Sequence, residues 1–204
     1  MDGYRLRVVG LDLSLTSTGL SDGQSVHAIS TSSQDCLEKR LNHLLREVHS
    51  FVLSPTQWTD AMPYGRCADL VVIEGSSYGS RGPGHEELAA LRIMVRHRLW
   101  CLGVPYAVVP PKTLKRYTAG SGTATKRHIV AALYGRHGLD LHRVKVKDGR
   151  YDQADAFALA AMGYHHVSQP VGWIGGGQPV PYPLPVSESS LDAVTWPSLL
   201  SDDA

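Results

Sequence analysis

Two apolar runs that each end on a carboxylate constrain this chain more than any other feature. Arg7 to Leu13 contains Val-Val-Gly-Leu-Asp12, and Asp69 to Glu74 reads Asp-Leu-Val-Val-Ile-Glu. Neither alternates apolar with polar residues, so each predicts a buried strand, the first of them covered on both faces as a central strand is. Asp12 and Glu74 then stand at strand ends against an apolar interior, where an unpaired charge costs several kcal/mol. Each acid needs a partner or a metal ion. If the two strands are neighbours their carboxylates repel, and a divalent cation relieves that repulsion. Mg²⁺ in particular takes a few carboxylate oxygens together with water and substrate phosphate.

Short strand-like pieces around Thr18-Gly19-Leu20 and from Val26 to Ile29 complete a three-strand meander with the first run. Leu37, Leu41, Leu44, Leu45, Val48, Phe51 and Val52 recur at helical spacing, which predicts an amphipathic helix from about Gln34 to Leu53, stopping before Pro55. Glu74 is followed by Gly75-Ser-Ser-Tyr-Gly-Ser-Arg-Gly-Pro-Gly84, a mobile, turn-rich loop of the kind that borders sites. Helix is predicted again from Glu86 to Leu102, closed by Gly103, then a strand from Tyr106 to Val109 before Pro110-Pro111. Two further helices, Lys126 to Arg136 and Asp152 to about His165, flank a basic loop. The order is βββαβαβαα. From Ser168 onward six prolines and Gly175-Gly176-Gly177 leave no periodicity. The chain thus divides into a folded domain over 1–167 and a flexible tail over 168–204. The tail's Trp173, Ile174, Trp196 and Leu199-Leu200 are either a docking peptide or a surface-packed extension.

Composition narrows the function classes. At 204 residues and 43% hydrophobic the chain can bury one core. No run of about eighteen apolar residues occurs, and Met1-Asp2-Gly3-Tyr4-Arg5 lacks the layout of a signal peptide, so a soluble cytoplasmic protein with no membrane partner is expected. Cys36, Cys67 and Cys101 form no CxxC pair and read as reduced thiols. The ten histidines include no HExxH, and none is given a catalytic role. The overall charge of +1 conceals an asymmetry: Arg92 to Arg150 holds thirteen Lys/Arg against Asp140 and Asp148, a local excess of +11. Such an excess suits a polyanion, because each neutralised phosphate releases condensed counterions.

A third acidic element lies in Tyr151-Asp-Gln-Ala-Asp-Ala-Phe-Ala-Leu-Ala-Ala161. Asp152 and Asp155 are three positions apart and share one helix face, in a first turn whose dipole supports negative charge. The small residues that follow let this helix approach a sheet closely and bring its acids towards Asp12.

In this order, GLDLSLTSTG, VVIEG, a basic zone and DQADAFALAAMG, the chain over about Arg7 to His166 resembles the RuvC family of Holliday-junction resolvases. The resemblance implies an α/β, RNase H-like fold: a mixed five-stranded sheet, three strands antiparallel and then parallel ones, flanked by helices. It implies that Asp12, Glu74, Asp152 and Asp155 hold two Mg²⁺ ions about 4 Å apart, with Mn²⁺ able to substitute. The basic segment from Val109 to Lys126 looks like the one whose later lysine, here Lys126, sits by the scissile phosphate. Lys112, Lys115, Arg116, Lys126 and Arg127 are then candidate DNA contacts. Where the family places an aromatic wedge three residues after the Glu, this chain has Ser77 with Tyr78 beside it, and Tyr78 joins the candidate DNA contacts.

The implied activity is that of a crossover junction endonuclease: a homodimer that nicks four-way DNA on two opposed strands and leaves 5′-phosphate ends, in the cytoplasm of a bacterium or a phage-infected cell. The helix from Glu86 to Leu102 is the candidate dimer surface, although its Leu88, Leu91, Val95 and Leu99 serve equally well to cover the protein's own sheet. Ser14, Thr16 and Ser17 read as turn formers around Asp12. The tail adds to the family pattern, and its removal after Ser168 is expected to leave cleavage unchanged. Three other readings stay open: a broader branched- or flap-DNA endonuclease, a non-catalytic nucleic-acid-binding relative, and an actin-like ATPase or sugar-kinase fragment. The last also opens with a strand, an Asp and a Ser/Thr-Gly turn, but it needs a second phosphate loop that these residues do not show.

Overall fold

A computed structural model of the chain describes residues 6–53, 67–76, 84–171 and 189–199. Five strands form one sheet in the order β3-β2-β1-β4-β5: β1 (Val8–Asp12), β2 (Ser17–Ser21), β3 (Val26–Ser30), β4 (Leu70–Glu74) and β5 (Tyr106–Val109). The first three are antiparallel, and β1, β4 and β5 run parallel, which is the mixed sheet expected.

Side chains alternate across the sheet with period two. Val9, Leu11, Val71 and Ile73 enter one buried cluster, with residues of α1 (Leu37–Leu53) and α2 (His85–Cys101). Val8, Leu70, Val72, Ala107 and Val109 enter the other, with residues of α3 (Pro111–Ala119), α4 (Lys126–His137) and α5 (Arg150–His166). Asp12 has the parity of Val8, and Glu74 that of Leu70, so both acids emerge on the α5 side.

On α2, Leu91, Val95 and Leu99 are buried against the protein's own sheet, while Ile93, Met94 and Trp100 face outward. At the opposite end of β1, the buried Arg7 guanidinium donates to the Val52 and Phe51 carbonyls and so satisfies the last turn of α1.

The sequence pattern missed α3. Pro110-Pro111 reads as a breaker, yet Pro111 occupies the first helical position, where a missing N–H costs nothing. The helix ends at Gly120 with φ 79. Nor does the loose tail describe residues 189–199. Val194 is buried, and Leu191, Trp196 and Leu199 pack on the α3–α5 core beyond the short α6 (Ser189–Asp192). The Trp196 indole donates to the Leu191 carbonyl at 2.9 Å and stacks on His166. Trp173, Ile174 and Leu200 lie outside the described residues.

Helix α5 is buried continuously from Gln153 to Tyr164. It lies so close to the sheet that two strand glycines are required. A Cβ on Gly10 would stand 2.1 Å from the Ala156 carbonyl oxygen, and one on Gly19 would stand 1.9 Å from that of Asp152. Among the described residues no helix is long and apolar enough to cross a membrane.

Candidate metal centre

Asp12 and Glu74 end neighbouring parallel strands, and α5 crosses that face with Asp152 in its first turn and Asp155 one turn on. Gly19, opposite Asp12 in the β1–β2 register, lets the start of α5 settle onto the sheet. Lys126 enters from the start of α4, a terminus capped by Thr125 and His128. Its Nζ lies 4.0 Å from Asp152 Oδ1 and 3.8 Å from Asp155 Oδ2. The ammonium also rides over the Tyr151 ring at 5.6 Å.

The electrostatics tie the four acids together. Burial first, then the charges of Glu74, Asp155 and Asp152, hold the Asp12 carboxyl well above the usual range, with Lys126 opposing. Burial also raises Glu74, against a hydrogen bond with Asp12 and the charges of Arg92, Lys126 and Lys115. Burial, followed by Glu74, pushes Asp155 up to about 7. Burial lowers Lys126, but Asp155, Asp12, Asp152 and Glu74 outweigh it and raise the ammonium, which keeps it protonated at neutral pH.

Two observations pull apart here. Among the described residues no three His, Cys, Asp or Glu side chains converge on a point as the ligands of one ion would. Yet the charges of Glu74, Asp155 and Asp152 all act on Asp12 in the direction that raises its carboxyl. Hard carboxylate oxygens, crowded and largely buried, with Lys126 placed between the two on α5, fit a divalent cation.

The candidate DNA contacts divide. Lys115, half-buried on α3, acts on both Glu74 and Asp155 and belongs to the cluster. Lys112 and Arg116 on α3 and Arg127 on α4 are exposed around it. Ser77 and Tyr78 lie outside the described residues. Thr18 Oγ1 donates to the Ser14 carbonyl and accepts from the Ser14 N–H, and the Thr16 N–H donates to Ser14 Oγ, so Ser14 and Thr16 form a hydrogen-bonded turn after Asp12, whereas the buried Ser17 hydroxyl has no partner among the described residues. The three cysteines are free thiols. His137 is a core residue, edge-on to Phe157 and lowered to about 4 by burial.

Arg92, on α2, was not among the candidates, although its charge reaches Glu74. Its one sequence signal is membership of the basic zone, which it opens.

No family model matches the chain, and neither does any curated protein. Solved structures do. A Thermus thermophilus RuvC structure superposes with a TM-score of 0.55 at 19% identity, covering 80% of this chain and 98% of that one. T. thermophilus RuvC in complex with a Holliday junction substrate gives a TM-score of 0.55 at 20% identity, covering 76% and 91%. At this identity the likeness speaks to the fold, and with the mixed sheet and its flanking helices it establishes that the chain has the RNase H-like fold of RuvC.

Proposed function

We propose that this protein is a metal-dependent, structure-specific endodeoxyribonuclease that resolves four-way junctions by paired nicks. The observation that carries the reading is the gathering of Asp12, Glu74, Asp152 and Asp155, from three separate parts of the chain, at one end of the sheet around Lys126. The fold is that of RuvC, which has been seen with a Holliday junction substrate, and this supports four-way DNA as the substrate class.

In the reaction, water attacks a phosphodiester phosphorus in line, the bond to the 3′ oxygen breaks, and a 5′-phosphate and a 3′-hydroxyl result. The four carboxylates would hold Mg²⁺, or Mn²⁺ in its place, and bound cations supply the charge that acidifies the water and stabilises the departing oxygen. Lys126 neutralises charge developing on the phosphoryl oxygens, a role for which a mobile ammonium suffices. Lys112, Lys115, Arg116 and Arg127 contact backbone phosphates around the cut. Two such sites, one per protomer of a homodimer, match a two-fold substrate. The outward stripe of α2, with Ile93 64%, Met94 41% and Trp100 74% exposed, is the surface that supports this pairing.

The test is incubation of a labelled four-way junction, the matched duplex and a flap with the protein in Mg²⁺ or EDTA, resolved on a denaturing gel. Paired, Mg²⁺-dependent nicks confined to the junction are expected, and Asp12→Asn abolishes them without loss of junction binding. Cutting of flaps as well would make the protein a broader branched-DNA nuclease. Binding without cutting by the wild type, or undiminished cutting by Asp12→Asn, refutes the assignment.

A further inference from the structure

Lys115 on α3 and Lys126 on α4 approach the acids from the α5 side of the sheet. Arg92 approaches from α2, on the other side, and its position is hard to explain as structural. A guanidinium offers five N–H donors. One of them, on Nη1, meets Ser76 Oγ at 3.0 Å. Nε is buried and has no hydrogen-bond partner. Among the described residues Arg92 forms no ion pair within 4.0 Å, although its charge is felt at Glu74. An arginine present only to neutralise Glu74 would close on it. This one stops short, with a planar fork largely unused among the described residues and the Ser76 hydroxyl beside it, just past the end of β4. Such a fork matches the geometry of phosphate oxygens, which take two parallel N–H bonds.

We propose that Arg92, together with the Ser76 hydroxyl, binds a DNA backbone phosphate on the α2 side of the site, a phosphodiester other than the one cut. The strand is then held between Arg92 on one flank and Lys115 and Lys126 on the other. This rests on reading the site as one that handles DNA, and it adds a substrate-binding residue absent from the basic segment.

The experiment measures binding of a fluorescein-labelled four-way junction by anisotropy over a salt series in EDTA, where cleavage does not intervene. Relative to the wild type, Arg92→Gln is expected to weaken binding about five- to tenfold and to reduce the slope of log K against log [salt] by about one. Arg92→Lys retains the slope, because the charge remains, but recovers only part of the affinity, because a lysine has no fork. A salt slope in Arg92→Gln equal to the wild type overturns the proposal, whatever the affinity, since a purely structural loss does not change the number of phosphates neutralised. If Arg92→Gln fails to fold by circular dichroism, Arg92→Lys decides, and wild-type affinity in that variant overturns the fork. Failure of the wild type to cut junctions in Mg²⁺ would refute the nuclease reading and leave this binding result standing.

Discussion

Replacing Gly19 with alanine tests the contact on which the acid cluster depends. Gly19 pairs with Asp12 in the β1–β2 register and lies under the first turn of α5. A Cβ there would stand 1.9 Å from the Asp152 carbonyl oxygen and 2.4 Å from its carbonyl carbon. Ordinary contact is about 3.5–4.0 Å, so the start of α5 must withdraw by more than about 1 Å. Both atoms are backbone, and no rotamer change relieves the clash. In an unobstructed strand alanine is better than glycine by roughly 0.5–1 kcal/mol, so the sign of the change is itself diagnostic. Overpacking costs about 1–3 kcal/mol and sometimes more. At about 3 kcal/mol, and about 2–4 °C per kcal/mol for a chain of this size, Tm falls by about 6–12 °C. The same displacement carries Asp152 and Asp155 away from Asp12 and Glu74. The gain in Tm on adding Mg²⁺ should therefore shrink in Gly19→Ala. Thermal unfolding by circular dichroism, with Mg²⁺ and with EDTA, reads both effects. A Tm equal to or above the wild type, with an undiminished response to Mg²⁺, would refute the close approach of α5.

Two further outcomes follow from the same structure. Burial, then Glu74, raises Asp155 from its ordinary 3.8 to about 7, so the folded protein keeps a proton that the unfolded chain releases near pH 4. In EDTA that contribution to stability is complete below about pH 4 and is lost as pH rises to about 7. Asp155→Asn should raise Tm at pH 8 in EDTA, flatten the profile across this window and diminish stabilisation by Mg²⁺; a profile unchanged from the wild type would show that Asp155 ionises normally. Ending the chain before Ser189 removes Leu191, Val194, Trp196 and Leu199 from the α3–α5 core. Since a fully buried Val or Leu contributes about 1.5–3 kcal/mol, Tm should drop measurably and junction binding should weaken with the loosening of α3, whereas equal values would mark the segment as dispensable.

The parts of this fold that depend on near neighbours in the chain were legible in the sequence. The strands, the helices other than α3 and α6, and the positions of Asp12 and Glu74 at strand ends and of Asp152 in a first helical turn follow from periodicities of two and 3.6, which a short window contains; α5 begins at Arg150, so Asp155 falls one turn further on than the sequence suggested. The nine residues of α3 were hidden because a proline that opens a helix and one that breaks it look alike until the preceding carbonyls are seen accepting bonds. The Pro-rich composition after Ser168 carries no information on whether scattered apolar residues meet a surface, and Val194 does.

What tertiary structure alone decided is which side of the sheet matters. Parallel pairing of β1 with β4, with Leu11 beside Ile73, puts Asp12 and Glu74 on one face, and a slip of one residue would have sent one of them to the other. Gly10 and Gly19 let α5 come within reach of that face, and pairing across the fold brings Arg92 of α2 towards an acid eighteen positions earlier. The acids themselves are written in the chain. Their community is a property of register and close packing between segments far apart in sequence, because charge acts through space and the sheet sets the distances.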